Sequence, residues 1–204
     1  MEYIEGTPLD SCFKDFDVQT QNNLLCKIGE ISAQINKLEI DNSHPYMTER
    51  GSWQEYIADR LTERLKPLTN NEIITQNEID IIANRMRQKK VMQTTSFLHL
   101  DMRHVNMIYN SGDIFVLDAE NCEFGDPLFE LAVIDVAGEL APPLIEGYIN
   151  ISGNDMKLDD ELYYLYKMER QALVLHLFMN LIKSDVNSTQ LYLGRFNELK
   201  EKLL

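Results

Sequence analysis

The sequence predicts an α+β fold that is mainly helical, with one small β-hairpin near its middle. Apolar residues recur at three- and four-residue steps through most of the chain, the signature of amphipathic helices. Two short apolar runs, Phe97 to Leu100 and Ile114 to Leu117, flank Asn110-Ser111-Gly112-Asp113, the composition of a hairpin connection. Internal repeats and low-complexity tracts are absent from the sequence, and 204 residues with 44% hydrophobic content bury a full core, so residues 10–204 are expected to form a single domain.

The helices follow in order. Leu24, Leu25, Ile28, Ile31, Ile35 and Leu38 share one helical face, entered through Asp17 as N-cap. A loop from Asp41 to Pro45 carries His44, which reads as a surface histidine rather than a ligand because no second ligand is near it in sequence. Trp53, Tyr56, Ile57, Leu61 and Leu65 form a second amphipathic helix between Ser52 and Pro67; its tryptophan either packs in the core or lines a substrate cleft. Thr75 with Glu78 is a capping box for a third helix, which a basic cluster (Arg85, Arg87, Lys89, Lys90) terminates. Beyond Asp126-Pro127, an N-cap followed by proline, the pattern stays helical. It continues to Leu140, breaks at Ala141-Pro142-Pro143, restarts from Leu144 to Ile151, and gives a long helix from Leu162 to Ile182 and a last one from Asn187.

The formal net charge of −14 argues against nucleic acid or an anionic membrane as the principal partner and leaves room for a cationic small molecule. Acidic residues at Glu123, Glu130, Asp135, Glu139, Asp155, Asp159, Asp160 and Glu161 are candidates to receive one; a solvated acidic surface reads the same way. Three scattered cysteines, without metal-ligand spacing, suit a reducing cytoplasm, and no run is long enough to span a bilayer.

The chemistry concentrates between Phe97 and Ala132. The first apolar run delivers His99 and Asp101 into a polar loop that ends at Asn106; the second delivers Asp118. Two carboxylates and an amide at the ends of short strands form a layout for holding a divalent metal beside a base. If strand geometry persists, His99 alternates onto the side of Asp101, and Glu120 onto the face of Asp118 as an outer partner of the metal.

His99-Leu100-Asp101 with Asn106, followed by Asp118-Ala119-Glu120 and by Gly125-Asp126-Pro127-Leu128-Phe129-Glu130-Leu131-Ala132, resembles the aminoglycoside phosphotransferase family of the protein-kinase-like superfamily. Two departures stand out: Leu100 replaces a glycine and Ala119 an aromatic. The resemblance implies a protein-kinase-like C-terminal lobe with a small catalytic β-hairpin and the N-lobe absent, since no Gly-rich phosphate loop precedes the motif. It implies a small-molecule kinase that moves the γ-phosphate of ATP or GTP to a hydroxyl of an aminoglycoside or other cationic acceptor.

Within that reading Asp101 is the base, and Asn106 and Asp118 are ligands to Mg²⁺. His99 holds the loop through hydrogen bonds, and Arg103 either faces the transferred phosphoryl group or is an exposed loop arginine. His104 has no assigned role. Residues 1–9 are hinge-like, with Glu2, Tyr3 and Ile4 at the nucleotide edge. A complementing N-lobe or a homodimer is the expected protein partner. The alternative is a catalytically inactive kinase-like remnant that serves as a binding or interaction module.

Overall fold

A computed structural model describes residues 4–91, 94–154, 156–180, 182 and 185–204. In chain order its elements are β1 (Thr7–Pro8), α1 (Leu9–Cys12), α2 (Val18–Asn36), α3 (Pro45–Arg50), α4 (Trp53–Leu65), α5 (Gln76–Arg87), β2 (Ser96–Leu98), β3 (Met107–Asn110), β4 (Asp113–Val116), β5 (Glu123–Gly125), α6 (Pro127–Ala137), α7 (Pro142–Ser152), α8 (Glu161–Asn180) and α9 (Val186–Leu203). The chain packs as two compact units. One comprises Met1–Ile40 and Thr95–Met156, the other Asp41–Thr94 and Lys157–Leu204. Among the described residues no helix is long and apolar enough to cross a membrane.

In the first unit α2 starts where expected: the Asp17 carboxylate accepts the Thr20 N–H at 3.0 Å. It ends at Asn36, so Leu38, placed on its apolar face by periodicity, lies beyond the helix and is 61% exposed. α7 begins at Pro142 rather than after the prolines. A proline in the first turn lacks only an N–H that would have no helical partner, so the Pro-Pro pair opens this helix instead of breaking one. α6 is apolar on nearly every side, with Pro127 to Ile134 and Val136 all buried, as an interior helix must be. It stops at Ala137, short of Leu140, because Gly138 takes a left-handed conformation (φ 82°) and caps it.

The helices α2 and α7 touch backbone to backbone. A Cβ on Gly29 would come within 1.9 Å of the Leu144 carbonyl oxygen, and one on Gly147 within 2.0 Å of the Cys26 carbonyl oxygen. Each glycine thus makes room for the other helix.

The strands form two small sheets. β1, β3 and β4 are antiparallel in that spatial order, with Thr7 opposite Tyr109 and Met107 opposite Val116. The hairpin closes through Ser111 and Gly112, as the turn residues require. Its first arm is Met107–Asn110, not the run from Phe97. β2 instead pairs with β5, Leu98 facing Glu123. A hairpin turn joins adjacent strands, and Met107-Ile108-Tyr109 is apolar enough to supply the arm beside it.

The second unit is helical. Thr75 and Glu78 make the reciprocal capping box at α5, and the His44 imidazole caps α3 by accepting the Tyr46 N–H at 3.3 Å. Trp53 is a core residue, 2% exposed, whose indole N–H donates to the Tyr166 hydroxyl at 2.7 Å. Glu169, wholly buried on α8, draws in Arg60 at 2.8 Å and Arg64 at 2.9 Å from α4. At the end of α5 three of the four basic residues are seen in ion pairs: Arg85 and Lys89 hold Glu161, and Arg87 holds Glu55 and Asp59. α9 starts one residue before Asn187, at Val186, because Asp185 caps it by accepting the Ser188 N–H at 2.9 Å.

Gly29→Ala and Gly147→Ala should each cost about 2 kcal/mol or more in urea denaturation, because the added methyl meets backbone that cannot give way. Gly194→Ala in α9, where a Cβ meets nothing within 4 Å, should instead raise stability by about 0.5–1 kcal/mol through helix propensity.

Candidate active site

β2 carries the chain into the loop that holds the candidate residues, and α2 fixes that strand from behind. The Asn36 side-chain amide donates to the Phe97 carbonyl at 2.8 Å, and the Tyr148 hydroxyl donates to the Asn36 oxygen at 2.8 Å. Burial in this apolar setting pushes the Tyr148 phenol well above its ordinary value, keeping it a donor.

After Leu98 the strand geometry ends. Leu100 is left-handed (φ 59°), and the N–H groups of His99 and Leu100 converge on the carboxylate of Glu130 at 2.5 and 2.9 Å. Glu130 is completely buried. Successive amides around a left-handed residue make an anion-binding concavity, and here its occupant is a side chain of the same chain. The left-handed position is natural for glycine. Leucine is retained because its side chain is 3% exposed, and such burial contributes roughly 1.5–3 kcal/mol.

Asp101 follows, its side chain 14% exposed, with both carboxylate oxygens engaged by Arg103: one by Nε, the other by Nη2 at 3.0 Å. A helical turn of 3-10 type, His104–Asn106, completes the loop. Asn106 is its keystone. The side-chain N–H of Asn106 donates to the Asp101 carbonyl at 3.0 Å, and its own carbonyl accepts the Leu117 N–H at 2.8 Å. Among the described residues the side-chain oxygen of Asn106 makes no hydrogen bond.

The Asn106–Leu117 bond brings the end of β4 beside the loop, and the next residue is Asp118, exposed and left-handed (φ 63°). His99, 4% exposed, lies within reach of both carboxylates. Burial pushes its imidazole below the ordinary value, while a hydrogen bond to the Leu117 backbone and then the charges of Asp101 and Asp118 oppose that shift. The structure therefore gathers His99, Asp101, Arg103, Asn106 and Asp118. The alternation expected of His99 and Glu120 does not hold: β2 stops at Leu98, β4 at Val116, and Glu120 sits in an exposed 3-10 turn.

Glu2 and Tyr3 lie outside the described residues. Ile4, half-buried, leads into β1, which pairs with β3 as it leaves the loop. Among the acidic residues offered to a cation, Glu130 is occupied by the loop amides, Glu123 is 8% exposed, and Glu139 accepts the His104 N–H at 2.8 Å. Asp155 lies outside the described residues.

Among the described residues no group of three or more His, Cys, Asp or Glu side chains comes together as a ready-made metal cage. An amide oxygen oriented by its own N–H, with the exposed carboxylate of Asp118 one residue beyond the Leu117 that Asn106 holds, suits Mg²⁺, which takes few protein ligands and completes its octahedron with water and phosphate oxygens.

Sequence reasoning missed Asn36, Tyr148 and the structural use of Glu130 and Glu139. An available signal was Asn36, a polar residue one position past Ile35 at the end of an apolar helix.

Glu130→Leu should cost about 3 kcal/mol or more in urea denaturation by leaving two buried amides without an acceptor, and Glu130→Gln less. His104, like His99, is held below its ordinary value by burial, against the charges of Glu139 and then Asp10. Both imidazoles stay neutral in the folded chain where the unfolded chain takes up protons near pH 6.5. Their contribution is complete above that pH and is lost as the pH falls toward the folded values, so the melting temperature should drop between pH 7.5 and 5.5. The drop should shrink in His104→Gln.

The model of the phosphotransferase enzyme family matches residues 1–160. A search of curated proteins returned no significant match. Among solved structures, aminoglycoside phosphotransferase APH(4)-Ia in a ternary complex with AMP-PNP and hygromycin B is 15% identical, with a TM-score of 0.64 over 97% of this chain and 69% of that one. APH(2'')-Ib bound to ADP is 12% identical, with a TM-score of 0.61 over 98% of this chain and 71% of that one. The GDP complex of aminoglycoside 2'-phosphotransferase-IIIa is 13% identical, with a TM-score of 0.60 over 99% and 70%. The fold is thus that of the larger, C-lobe-like portion of a protein-kinase-like enzyme. With the family model spanning most of its length and the His99-Leu100-Asp101 loop built as described, the chain belongs to the phosphotransferase enzyme family.

Proposed function

We propose that the chain transfers the γ-phosphate of ATP or GTP to a hydroxyl of a small molecule, an aminoglycoside or another cationic acceptor. The observation that carries this reading is the bonding of Asn106, which ties the Asp101 backbone to Leu117, the residue that precedes Asp118. Asp101 orients the acceptor hydroxyl and takes its proton as that oxygen bonds to phosphorus and the bond to the β-phosphate oxygen breaks. Each carboxylate oxygen has two lone pairs, so the fork from Arg103 leaves Asp101 able to accept. Arg103 then faces the transferred group and offsets its charge. His99 holds the loop rather than moving a proton, consistent with its burial. Asn106 and Asp118 hold Mg²⁺, which when bound neutralises the crowded phosphate oxygens.

The nucleotide edge is assigned to Glu2, Tyr3 and Ile4. Support comes from β1, Thr7–Pro8, which pairs with β3, the strand that leaves the loop. A further lobe is proposed to cover the phosphates; the solved relatives above are longer than this chain, which spans 69–71% of them. The nucleotides and hygromycin B in those complexes favour the cofactor and acceptor class named here. A second reading, a kinase-like module that binds without turnover, is favoured by the engagement of both Asp101 oxygens by Arg103.

Transfer of labelled γ-phosphate from ATP and GTP to aminoglycosides, choline and neutral sugars separates the readings. Asp101→Ala should lower transfer at least ~10²-fold, and Asp118→Ala should abolish transfer and weaken Mg²⁺ binding in the presence of nucleotide. Nucleotide binding without transfer to any acceptor, alone or with an added N-terminal lobe, would establish the second reading.

A further inference from the structure

The loop turn His104–Asn106 has an unusual cap. A 3-10 turn leaves its first N–H groups without partners in the turn itself, and the residue before it, Arg103, makes no side-chain cap bond because a guanidinium has only donors and cannot accept an N–H. The acceptor comes instead from a remote element: Glu139, just past the end of α6, takes the His104 N–H at 2.8 Å.

The position of Glu139 is itself fixed. Gly138 reverses the chain in the left-handed conformation, and the Glu139 N–H returns to the Ile134 carbonyl at 3.2 Å, the closing bond of a helix C-terminal motif. On the other side of the turn the His104 ring packs on Phe13, ring centres 4.5 Å apart, so the turn is gripped from two directions. Within it the Asn106 N–H donates to the Arg103 carbonyl at 2.9 Å. A shift at His104 therefore moves the backbone that aims the Asn106 side chain.

We propose that Glu139 is a positioning residue for phosphoryl transfer: through the His104 amide it sets the orientation of Asn106, and hence of the amide oxygen offered to the metal. This rests on the reading of Asn106 given above. Only the acceptor oxygen is required for that hold, so glutamine should serve in place of glutamate.

The test compares Glu139→Ala with Glu139→Gln in two measurements. Amide hydrogen exchange at His104 should be slow in the wild type and in Glu139→Gln and fast in Glu139→Ala, with the exchange of α2 and α7 unchanged. Mn²⁺ binding in the presence of ATP, followed by electron paramagnetic resonance, should weaken about tenfold or more in Glu139→Ala and recover to within about threefold of wild type in Glu139→Gln, the scale at which partners of metal ligands act. Unchanged exchange at His104 in Glu139→Ala overturns the hold itself. Changed exchange with wild-type Mn²⁺ affinity overturns the positioning role alone, and glutamine failing to restore the affinity does the same. Failure of the wild-type chain to bind Mn²⁺ with ATP overturns the underlying assignment of Asn106 and with it this proposal.

Discussion

The candidate site depends on one buried carboxylate. Glu130 has no exposed surface, and an isolated charge there would cost several kcal/mol. The amides of His99 and Leu100 remove that cost by donating to it, and in doing so hold Leu100 in a backbone conformation that side chains avoid by about 1–2 kcal/mol. Neither feature stands without the other. The left-handed turn ends β2 and throws Asp101 out of the strand direction, so the candidate base occupies its place because an acid on another element accepts two N–H bonds.

That acid sits in the first turn of α6, a helix with little choice about where it lies. Its sides are buried almost all round, and its start is fixed by the Asp126 carboxylate accepting the Leu128 N–H at 3.0 Å. A helix packed on every face cannot rotate about its axis without exposing apolar surface. The rigidity of the polar loop is thus borrowed from hydrophobic packing beneath it.

Much of this was legible in the sequence, and what escaped has a common cause. Asp17, Thr75 with Glu78, and Asp126-Pro127 each announce a helix start through bonds made within one turn, and each helix begins there. The loop residues could be grouped because their spacing reports the turn that joins them. By contrast, the first arm of the hairpin and the partner of β2 are long-range choices: Phe97 pairs with Phe124, a preference that no local pattern encodes. Glu130 and Glu139 were legible as acids but not as acceptors of backbone N–H groups some thirty residues away. Acidic composition suggests a surface open to cations, whereas burial decides that at least one of these carboxylates faces inward. Alternation failed at His99 and Glu120 for a related reason, since both strands stop before the residues that matter.

The helix α2 touches the site at two separated points. Asn36 holds β2 through the Phe97 carbonyl, and Lys27 holds the far end of the hairpin through the Gly112 carbonyl and the Asp113 carboxylate, both at 2.8 Å. Nine residues separate these contacts, about 14 Å along a helix. The strand that precedes Asp101 and the hairpin that delivers Asp118 are therefore gauged against the same rod. A displacement of α2 along its axis would carry both arms in the same direction.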